Sequence, residues 1–374
     1  MYHLKIYLIT FLVVFAMCCG CSSKEEKKIA YFKKGNAHFE KQEYKSAEIE
    51  FKNTLQIDPQ YVEAYTQLGK TYLKLGNPKG AFQAYSMVAR LDPVNTDAQL
   101  KLASFYFLGK QFKESREKVD AVLSKEPHNT EAQFLLAGIL ERTENLQEAS
   151  SVLNKIIERD DKQTRAYIGL SRIMMQQGKL SEAENTLKQA LRMNSKAIDA
   201  QLALFRFYNR HKKYDQAETQ IKKTIDTHPQ HAGLYRVLGS FYFSRNQKAK
   251  AEKAYLKAIE TAPENVTSYM VIAGFYDATG SKDKTLSMYK KALEREPEDI
   301  RIMHAIAGFY VKNRRIEEAE NTISRILKQR PKYFPTRMLK GELAVQKREF
   351  DDAIGIFDQL IKEEPTSARS HYFK

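Results

Sequence analysis

The sequence is poor in cysteine and proline and has no tryptophan. Its three cysteines lie at positions 18, 19 and 21, all before the bulk of the chain. The chain after Cys21 therefore has no disulfide, no cysteine zinc site and no thiol nucleophile. Packing alone must stabilise that part of the protein.

Familiar catalytic motifs are also missing. The stretch Gly69–Thr71 resembles the end of a phosphate-binding loop, but Ala64 stands where the first glycine is required, and the stretch lies within a predicted helix. His228 and His231 lie in a predicted turn with no further metal ligand near them in sequence. We therefore predict a binding protein and not an enzyme, with no catalytic residue, no metal site and no cofactor.

The stretch from Val62 to Asn95 has the pattern of a helix hairpin. Tyr65, Leu68 and Tyr72 are spaced three and four residues apart, which places them on one face of a helix. A turn at Leu75–Pro78 follows, because glycine accepts a left-handed backbone and proline suits the start of a helix. One such hairpin cannot bury both its faces, so we expect it to stack on copies of itself.

Copies of this hairpin recur at a constant spacing, with Thr96 and Thr130 at the position of Val62, and give ten repeats over residues 28–367. The repeat length is about 34 residues. Eight of the ten prolines occupy one position of the repeat: Pro59, Pro93, Pro127, Pro229, Pro263, Pro297, Pro331 and Pro365. A small residue recurs in the second helix, as Ala47, Ala81, Ser115, Ala149, Ala183, Ala217, Ala251, Thr285, Ala319 and Ala353. The first helix has one too, as Gly35, Gly69, Ala103, Ala137, Ser171, Gly239, Ala273, Ala307 and Gly341, with Phe205 as the exception. Small side chains at these positions let helix backbones approach closely.

This pattern resembles the tetratricopeptide repeat family over about nine-tenths of the chain. The resemblance implies an all-α fold, a right-handed superhelical solenoid of helix hairpins whose first helices line a concave groove. Asp161 and Ser195 replace the repeat proline in repeats 4 and 5, and we expect those two junctions to be looser or bent differently.

Residues 1–20 have the features of a signal peptide, with Lys5 before an apolar run that is too short to span a bilayer. Gly20-Cys21 resembles the end of the bacterial lipobox, in which the cysteine is acylated and becomes the mature amino terminus, although Cys18 departs from its usual aliphatic residue. The resemblance implies lipid attachment at Cys21, a polar tether over 21–27, and a place in the bacterial cell envelope. By resemblance to the enterobacterial sorting rule, Ser22 rather than Asp after the cysteine implies the outer membrane, facing the periplasm. At the other end, residues 368–374 begin an eleventh repeat, which suggests a fragment of a longer chain.

Partner-binding residues follow from the family's groove positions, which are the second, fifth, ninth and twelfth residues of each first helix. Carried over to repeats 5 to 7, with one adjacent residue, they identify a cation-rich set: Arg165, Arg172, Arg206, Asn209, Arg210 and Arg236. Arginine forks suit carboxylates and phosphates. The Lys/Asn carboxylate clamp of chaperone-binding members is absent.

The formal net charge of +15 favours anionic partners. For an exported, membrane-anchored protein we expect protein partners, acidic segments or anionic polysaccharide, and no nucleic acid. The sequence therefore predicts a periplasmic scaffold for protein–protein interactions. It weakly resembles the repeat lipoproteins of exopolysaccharide synthesis and export, including those of the PEP-CTERM system. Two alternatives stay open: a pilotin-like assembly factor for a pilus or secretion system, and the repeat region of a larger enzyme such as a glycosyltransferase.

Overall fold

The computed structural model describes residues 24–363. Over that range the chain consists of helices and turns without a strand, which confirms the predicted all-α class. The residues form two compact units, an N-terminal unit that ends at Ala200 and a C-terminal unit that begins at Gln201.

Paired helices build both units. The N-terminal unit contains α1 (24–40), α2 (Tyr44–Ile57), α3 (Val62–Lys74), α4 (Pro78–Leu91), α5 (Thr96–Leu108), α6 (Phe112–Leu123), α7 (Thr130–Arg142), α8 (Leu146–Arg159), α9 (Thr164–Gln176) and α10 (Leu180–Met193). The boundary between the units falls within α11 (Ile198–Arg210). The C-terminal unit continues with α12 (Tyr214–Thr227), α13 (Ala232–Ser244), α14 (Lys248–Thr261), α15 (Val266–Ala278), α16 (Lys282–Arg295), α17 (Ile300–Lys312), α18 (Ile316–Gln329), α19 (Phe334–Lys347) and α20 (Phe350–Glu363). Odd-numbered helices are the first helices of their repeats, and from Val62 to Phe334 they begin at a constant interval, which is the repeat length.

Each hairpin turn contains one residue with a left-handed backbone. Gly76 has φ of 67°, as predicted, and nine other residues share its position in the repeat with φ between 55° and 80°. They are Gln42, Lys110, Glu144, Gly178, Lys212, Asn246, Gly280, Arg314 and Arg348. The next residue donates its amide proton to the carbonyl five positions earlier, as from Asn77 to Tyr72 at 2.8 Å, which completes the usual hydrogen-bonded end of an α-helix. Because this bond recurs in every hairpin, it holds residues other than glycine in a left-handed backbone conformation that they rarely adopt.

The junctions between repeats do not depend on proline. Asp160 Oδ1 accepts the backbone proton of Lys162 at 3.0 Å, and Asn194 Oδ1 accepts that of Lys196 at 3.3 Å. Asp58 and Asp92 make the same kind of turn before Pro59 and Pro93. The expectation of a different junction at Asp161 and Ser195 was therefore wrong for the local turn, because the preceding Asp or Asn side chain forms it in both cases.

The predicted small residues lie at the tightest helix contacts. The ten small residues of the second helices are at most 2% exposed. In the first helices, a Cβ atom added to Gly239 would lie 2.5 Å from the ring of Tyr255, and one added to Gly341 would lie 2.5 Å from the ring of Phe357. Each ring lies on the second helix of the same hairpin, and Phe51 after Gly35 and Tyr85 after Gly69 occupy the same position. In three repeats the second-helix residue is aliphatic and the first helix has alanine instead, in the pairs Ala103/Val119, Ala137/Leu153 and Ala307/Ile323.

Polar bonds add to the packing between successive repeats of the C-terminal unit. The hydroxyl of Tyr276 donates to Glu252 Oε1 at 2.7 Å, and burial together with this bond raises the pKa of the tyrosine. Tyr242 makes the same bond to Glu218 of the preceding repeat, at 2.8 Å. Each bond ties a first helix to the second helix of the preceding repeat.

The amino-terminal prediction needs one correction. Lys24 to Lys27 were assigned to a polar tether, but they form the described beginning of α1. Glu25 and Glu26 suit the positive end of the helix dipole, and Glu25 pairs with Lys28 at 2.8 Å, so these residues favour a helix. The predicted signal peptide over 1–20, Cys21 and residues 368–374 lie outside the described residues. Within 24–363 no helix combines the length and the apolar character that a bilayer span requires.

Candidate partner-binding groove

The six predicted groove residues are divided between the two units. Arg165 and Arg172 lie on α9 in the N-terminal unit, whereas Arg206, Asn209, Arg210 and Arg236 lie on α11 and α13 in the C-terminal unit. Arg165 and Arg172 thus belong to the groove of the N-terminal unit and Arg206, Asn209 and Arg236 to that of the C-terminal unit. Arg210 is the last residue of α11 and lies at the hairpin turn instead.

Arg165 is held by the repeat before it. Its Nη1 lies 2.7 Å from Oε2 of Glu131, which occupies the same groove position one repeat earlier on α7. Its guanidinium also stacks on Phe134, 4.1 Å from the ring centroid. The Arg165 and Glu131 side chains are both about half exposed, at 54% and 55%, so water weakens their attraction.

Arg172 makes a two-point contact with a buried acid. Its Nε donates to Glu141 Oε1 at 2.5 Å and its Nη2 donates to Oε2, while Gln176 Nε2 donates to Oε1 at 3.0 Å. The Glu141 side chain is only 7% exposed, but that of Arg172 is 54% exposed. Glu141 thus fixes one side of the guanidinium, and the other side faces the solvent of the groove.

A cavity of about 240 Å³ lies between these two ion pairs. Phe107, Phe134, Leu135 and Ile168 give it an apolar lining, and Gly138 also lines it. A Cβ atom at Gly138 would meet only the ring of Phe107, at 3.5 Å, so the glycine leaves open space. The first-helix surface of the N-terminal unit therefore offers an apolar depression with an arginine at each side.

The predicted residues of the C-terminal unit have different surroundings. Arg206 and Arg210 are exposed and form no ion pair within residues 24–363, and Asn209 is half-buried. Arg236 is half-buried and donates from Nη1 to the buried Oγ of Ser268 at 3.0 Å, and burial lowers the pKa of its guanidinium. Arg236 thus ties α13 to α15, which is a structural role that the groove prediction did not include.

A second cavity on the first-helix surface was missed by the sequence interpretation. It measures about 490 Å³ in the C-terminal unit and lies between α17 and α19. Gly308 lies at the same groove position as Gly138, and Val311, Phe334 and Met338 add apolar lining. His304 at its edge lies 3.0 Å from the hydroxyl of the buried Thr336. Both cavities contain a glycine at the ninth position of the first helix, which is a signal that the repeat alignment could have provided.

The acids that hold the arginines could also have been found. Glu131 and Glu141 belong to groove positions of repeat 4, and each precedes its arginine by about one repeat.

A larger cavity of about 850 Å³ lies on the second-helix side of the C-terminal unit, between α18 and α20, and Lys347 at its rim already pairs with Glu320 and Glu349. Within residues 24–363, no group of three or more His, Cys, Asp or Glu side chains is placed to hold a metal ion.

Three solved structures are similar to this chain. The first, pilF of Pseudomonas aeruginosa, is 14% identical with a TM-score of 0.43, over 55% of this chain and 94% of pilF. Yeast Tom70 is 15% identical with a TM-score of 0.43, over 94% of both chains. MamA is 22% identical with a TM-score of 0.35, over 44% of this chain and 96% of MamA. No curated protein sequence matches the chain.

Family models match most of the described residues. One tetratricopeptide repeat model matches residues 110–173, 174–238 and 278–343, which together exceed half of the chain. Further tetratricopeptide repeat models match 66–123 and 232–265, and a TPR repeat model matches 35–76. Such repeats typically form non-catalytic scaffolds. The chain belongs to the tetratricopeptide repeat family, and it is a scaffold for protein–protein interactions.

Proposed function

We propose that this protein is a lipid-anchored scaffold of the bacterial envelope that binds an extended segment of a partner protein along the first-helix groove of its N-terminal unit. The observation that carries the proposal is the apolar cavity at Gly138, between the Arg165–Glu131 and Arg172–Glu141 pairs. Acylation of Cys21 would attach the chain to the membrane, and Ser22 favours the outer membrane, with the repeats in the periplasm.

The size of the cavity favours a peptide side chain as its occupant. Small-molecule sites usually measure about 300–1,000 Å³, whereas this cavity measures about 240 Å³. An apolar side chain of a partner fits such a space, and the neighbouring Phe134 and Ile168 would exclude water from it.

The two arginines favour a partner with carboxylates beside that apolar side chain. Each arginine keeps about half of its surface exposed after pairing with its glutamate, so it can donate further hydrogen bonds without losing that partner. The positive net charge of the chain would also speed the approach of an acidic segment. An anionic polysaccharide has no apolar side chain that would fill the cavity. We therefore prefer an acidic protein segment as the partner. A role in exopolysaccharide synthesis or export rests on the lipobox together with the ten repeats.

A capture experiment with a filled cavity tests the proposal. The membrane-anchored protein is crosslinked in cells and co-purifying proteins are identified, with Cys21→Ala as the control for anchoring. Gly138→Leu fills the cavity. Gly355→Leu makes the same change on the second-helix side, where an added Cβ atom would meet nothing within 4 Å.

We expect Gly138→Leu to reduce capture at least tenfold and Gly355→Leu to leave it unchanged, with both variants fully helical by circular dichroism. Components of polysaccharide synthesis or export among the captured proteins would support the narrower role. Pilus or secretin subunits would support the pilotin-like alternative instead. Equal capture by Gly138→Leu and the parent would contradict binding in this cavity.

A further inference from the structure

The hairpin turns of the C-terminal unit carry a cluster of cations away from the groove. They lie between the first and second helices of repeats 6, 7 and 8. We call this cluster the basic edge, and it consists of Arg210, Lys212, Arg245, Lys248, Lys250 and Lys282. All six side chains are exposed, and Asp215 and Asp283 are the exposed acids among the same turns.

The cations of the basic edge are not paired with acids in the part of the chain that the structure describes. None of its six cations forms a salt bridge with an acid within residues 24–363. Arg245 stacks on Tyr214, 3.2 Å from the ring centroid, and Lys250 lies 5.3 Å from the ring of Tyr242. These contacts orient two of the cations. The hydrogen bond from Lys222 lowers the pKa of Glu218, and the charge of Lys250 adds to that effect.

Two of the lysines occupy a position that is apolar elsewhere in the molecule. Lys248 and Lys282 begin the second helices of repeats 7 and 8, and the other eight repeats have tyrosine, proline, phenylalanine, leucine or isoleucine there. Phe112, Leu146 and Ile316 are examples that pack against the core. The two repeats that lack this packing are adjacent, and their lysines extend the basic edge.

Acids lie at the opposite ends of the same helices. Asp226, Glu264 and Glu298 are exposed near the junctions between repeats. Lys223 and Lys291 are exposed near the same ends, and Lys257 and Arg295 approach Glu260 and Glu264 at 2.6 and 4.0 Å. Because a helix of 13 residues is about 20 Å long, the acids lie roughly that distance from the basic edge, and the opposite helix ends carry both signs of charge.

We propose that the basic edge docks the C-terminal unit on an anionic phospholipid surface. The six exposed cations lie at the turns of three successive hairpins, so a broad surface such as an anionic bilayer can meet more of them at once than a compact ligand can. The opposite helix ends carry acids as well as lysines, so that surface attracts them less strongly than it attracts the basic edge. The proposal goes beyond the scaffold function, and it requires neither the acyl group nor the Gly138 cavity.

Vesicle flotation with the full chain tests this inference. The chain carries Cys21→Ala so that no acyl group contributes, and the vesicles contain phosphatidylcholine with or without phosphatidylglycerol. The edge variant combines Lys212→Glu, Lys248→Glu and Lys282→Glu. The matched control combines Lys223→Glu, Lys290→Glu and Lys328→Glu, which changes the net charge equally at exposed positions of second helices. Glutamate is compatible with the Lys212 turn, since Glu144 has the same left-handed backbone in repeat 4.

We expect the parent to bind the anionic vesicles more tightly than the neutral ones, and this binding should weaken as the salt concentration is raised. The edge variant should bind roughly 100-fold more weakly, because each basic residue near such a surface contributes about a fivefold gain. The control should keep most of the parent's affinity, and Gly138→Leu should bind as the parent does, which separates this test from that of the groove.

Three results would overturn the proposal. They are equal binding to both kinds of vesicle, equal loss in the edge variant and the control, and anionic binding that survives in a folded edge variant. Edge-dependent binding of a soluble poly-glutamate peptide without vesicle binding would assign the basic edge to an acidic protein segment instead.

Discussion

Gly239 and Gly274 lie on neighbouring first helices of the C-terminal unit, but a methyl group added to each would meet different surroundings. At Gly239 it would lie 2.5 Å from the Tyr255 ring, inside the hairpin. At Gly274, on the groove face, it would meet nothing within 4 Å. The interior face uses glycine to bring an aromatic ring against a backbone, whereas the groove face uses it to leave open space.

The two faces therefore depend on different physical quantities. The interior face is limited by volume, because close-packed side chains have no room for an added group. On the groove face, paired charges and open space matter instead. The Glu141 carboxylate, for example, is only 7% exposed, and the fold tolerates it because Arg172 and Gln176 satisfy its hydrogen bonds. Substitutions that add volume should harm the first face and spare the second.

The largest expected effect is at the interior glycine. Gly239→Ala should lower the free energy of unfolding by about 2 kcal/mol, because Tyr255 is buried and cannot move away. Adding Tyr255→Leu should recover part of that loss, since it reproduces the Ala137 and Leu153 pair of repeat 4. Urea unfolding of the two single variants and the double variant measures the coupling. Additive losses would show that the two residues do not share a contact.

A smaller effect is expected at a groove charge. Arg301 is the second residue of α17 and so lies at a groove position of repeat 9. It lowers the pKa of Asp299 to about 2, and Asp299 Oδ1 also accepts the backbone proton of Arg301 at 2.7 Å. A lowered pKa in the folded state stabilises the protein above the unfolded value of about 3.9, and the contribution is lost as the pH falls toward 2. Asp299→Asn should therefore lower the free energy of unfolding by about 1 kcal/mol at pH 7, because exposure of Arg301 weakens the pair.

The pH dependence isolates the charge in that experiment, because asparagine also caps helices well. Unfolding of both proteins is followed from neutral pH downward. The difference between them should shrink below a pH of about 4 and disappear near 2. A difference that stays constant with pH would assign the effect to packing.

The smallest effect should have the opposite sign. Gly274→Ala should raise the free energy of unfolding by about 0.5 kcal/mol, because alanine favours the helix and restricts the unfolded chain. It serves as the matched comparison for Gly239→Ala in thermal unfolding. A loss of stability at Gly274 comparable to that at Gly239 would remove the distinction between the two faces.

Much of the interior was predictable from the sequence, because close helix contacts restrict residue size at fixed positions. The constant spacing of Ala47 and Ala81 predicted buried small residues, and the structure has them fully buried. The left-handed turn was expected for Gly76, but its occurrence at Lys212 and Arg314 depends on backbone bonds that composition does not reveal.

The groove was less predictable, because the environment of a charge depends on the neighbouring repeat. Arg165 and Arg172 were predicted to bind a partner, and the structure also pairs them with Glu131 and Glu141. Arg236 donates one of its hydrogen bonds to Ser268. Family positions indicated where side chains face the groove, but which of them keep unbound donors requires the contacts between successive first helices.

Site-specific photocrosslinking tests the central claim most directly. A photoreactive phenylalanine analogue replaces Phe107, which lines the Gly138 cavity, or Phe350, which is 57% exposed at the start of the second helix α20. The groove proposal predicts a partner adduct from position 107 and none from position 350. Adducts from position 350 alone, or equally from both positions, would contradict binding of the partner in the groove of the N-terminal unit.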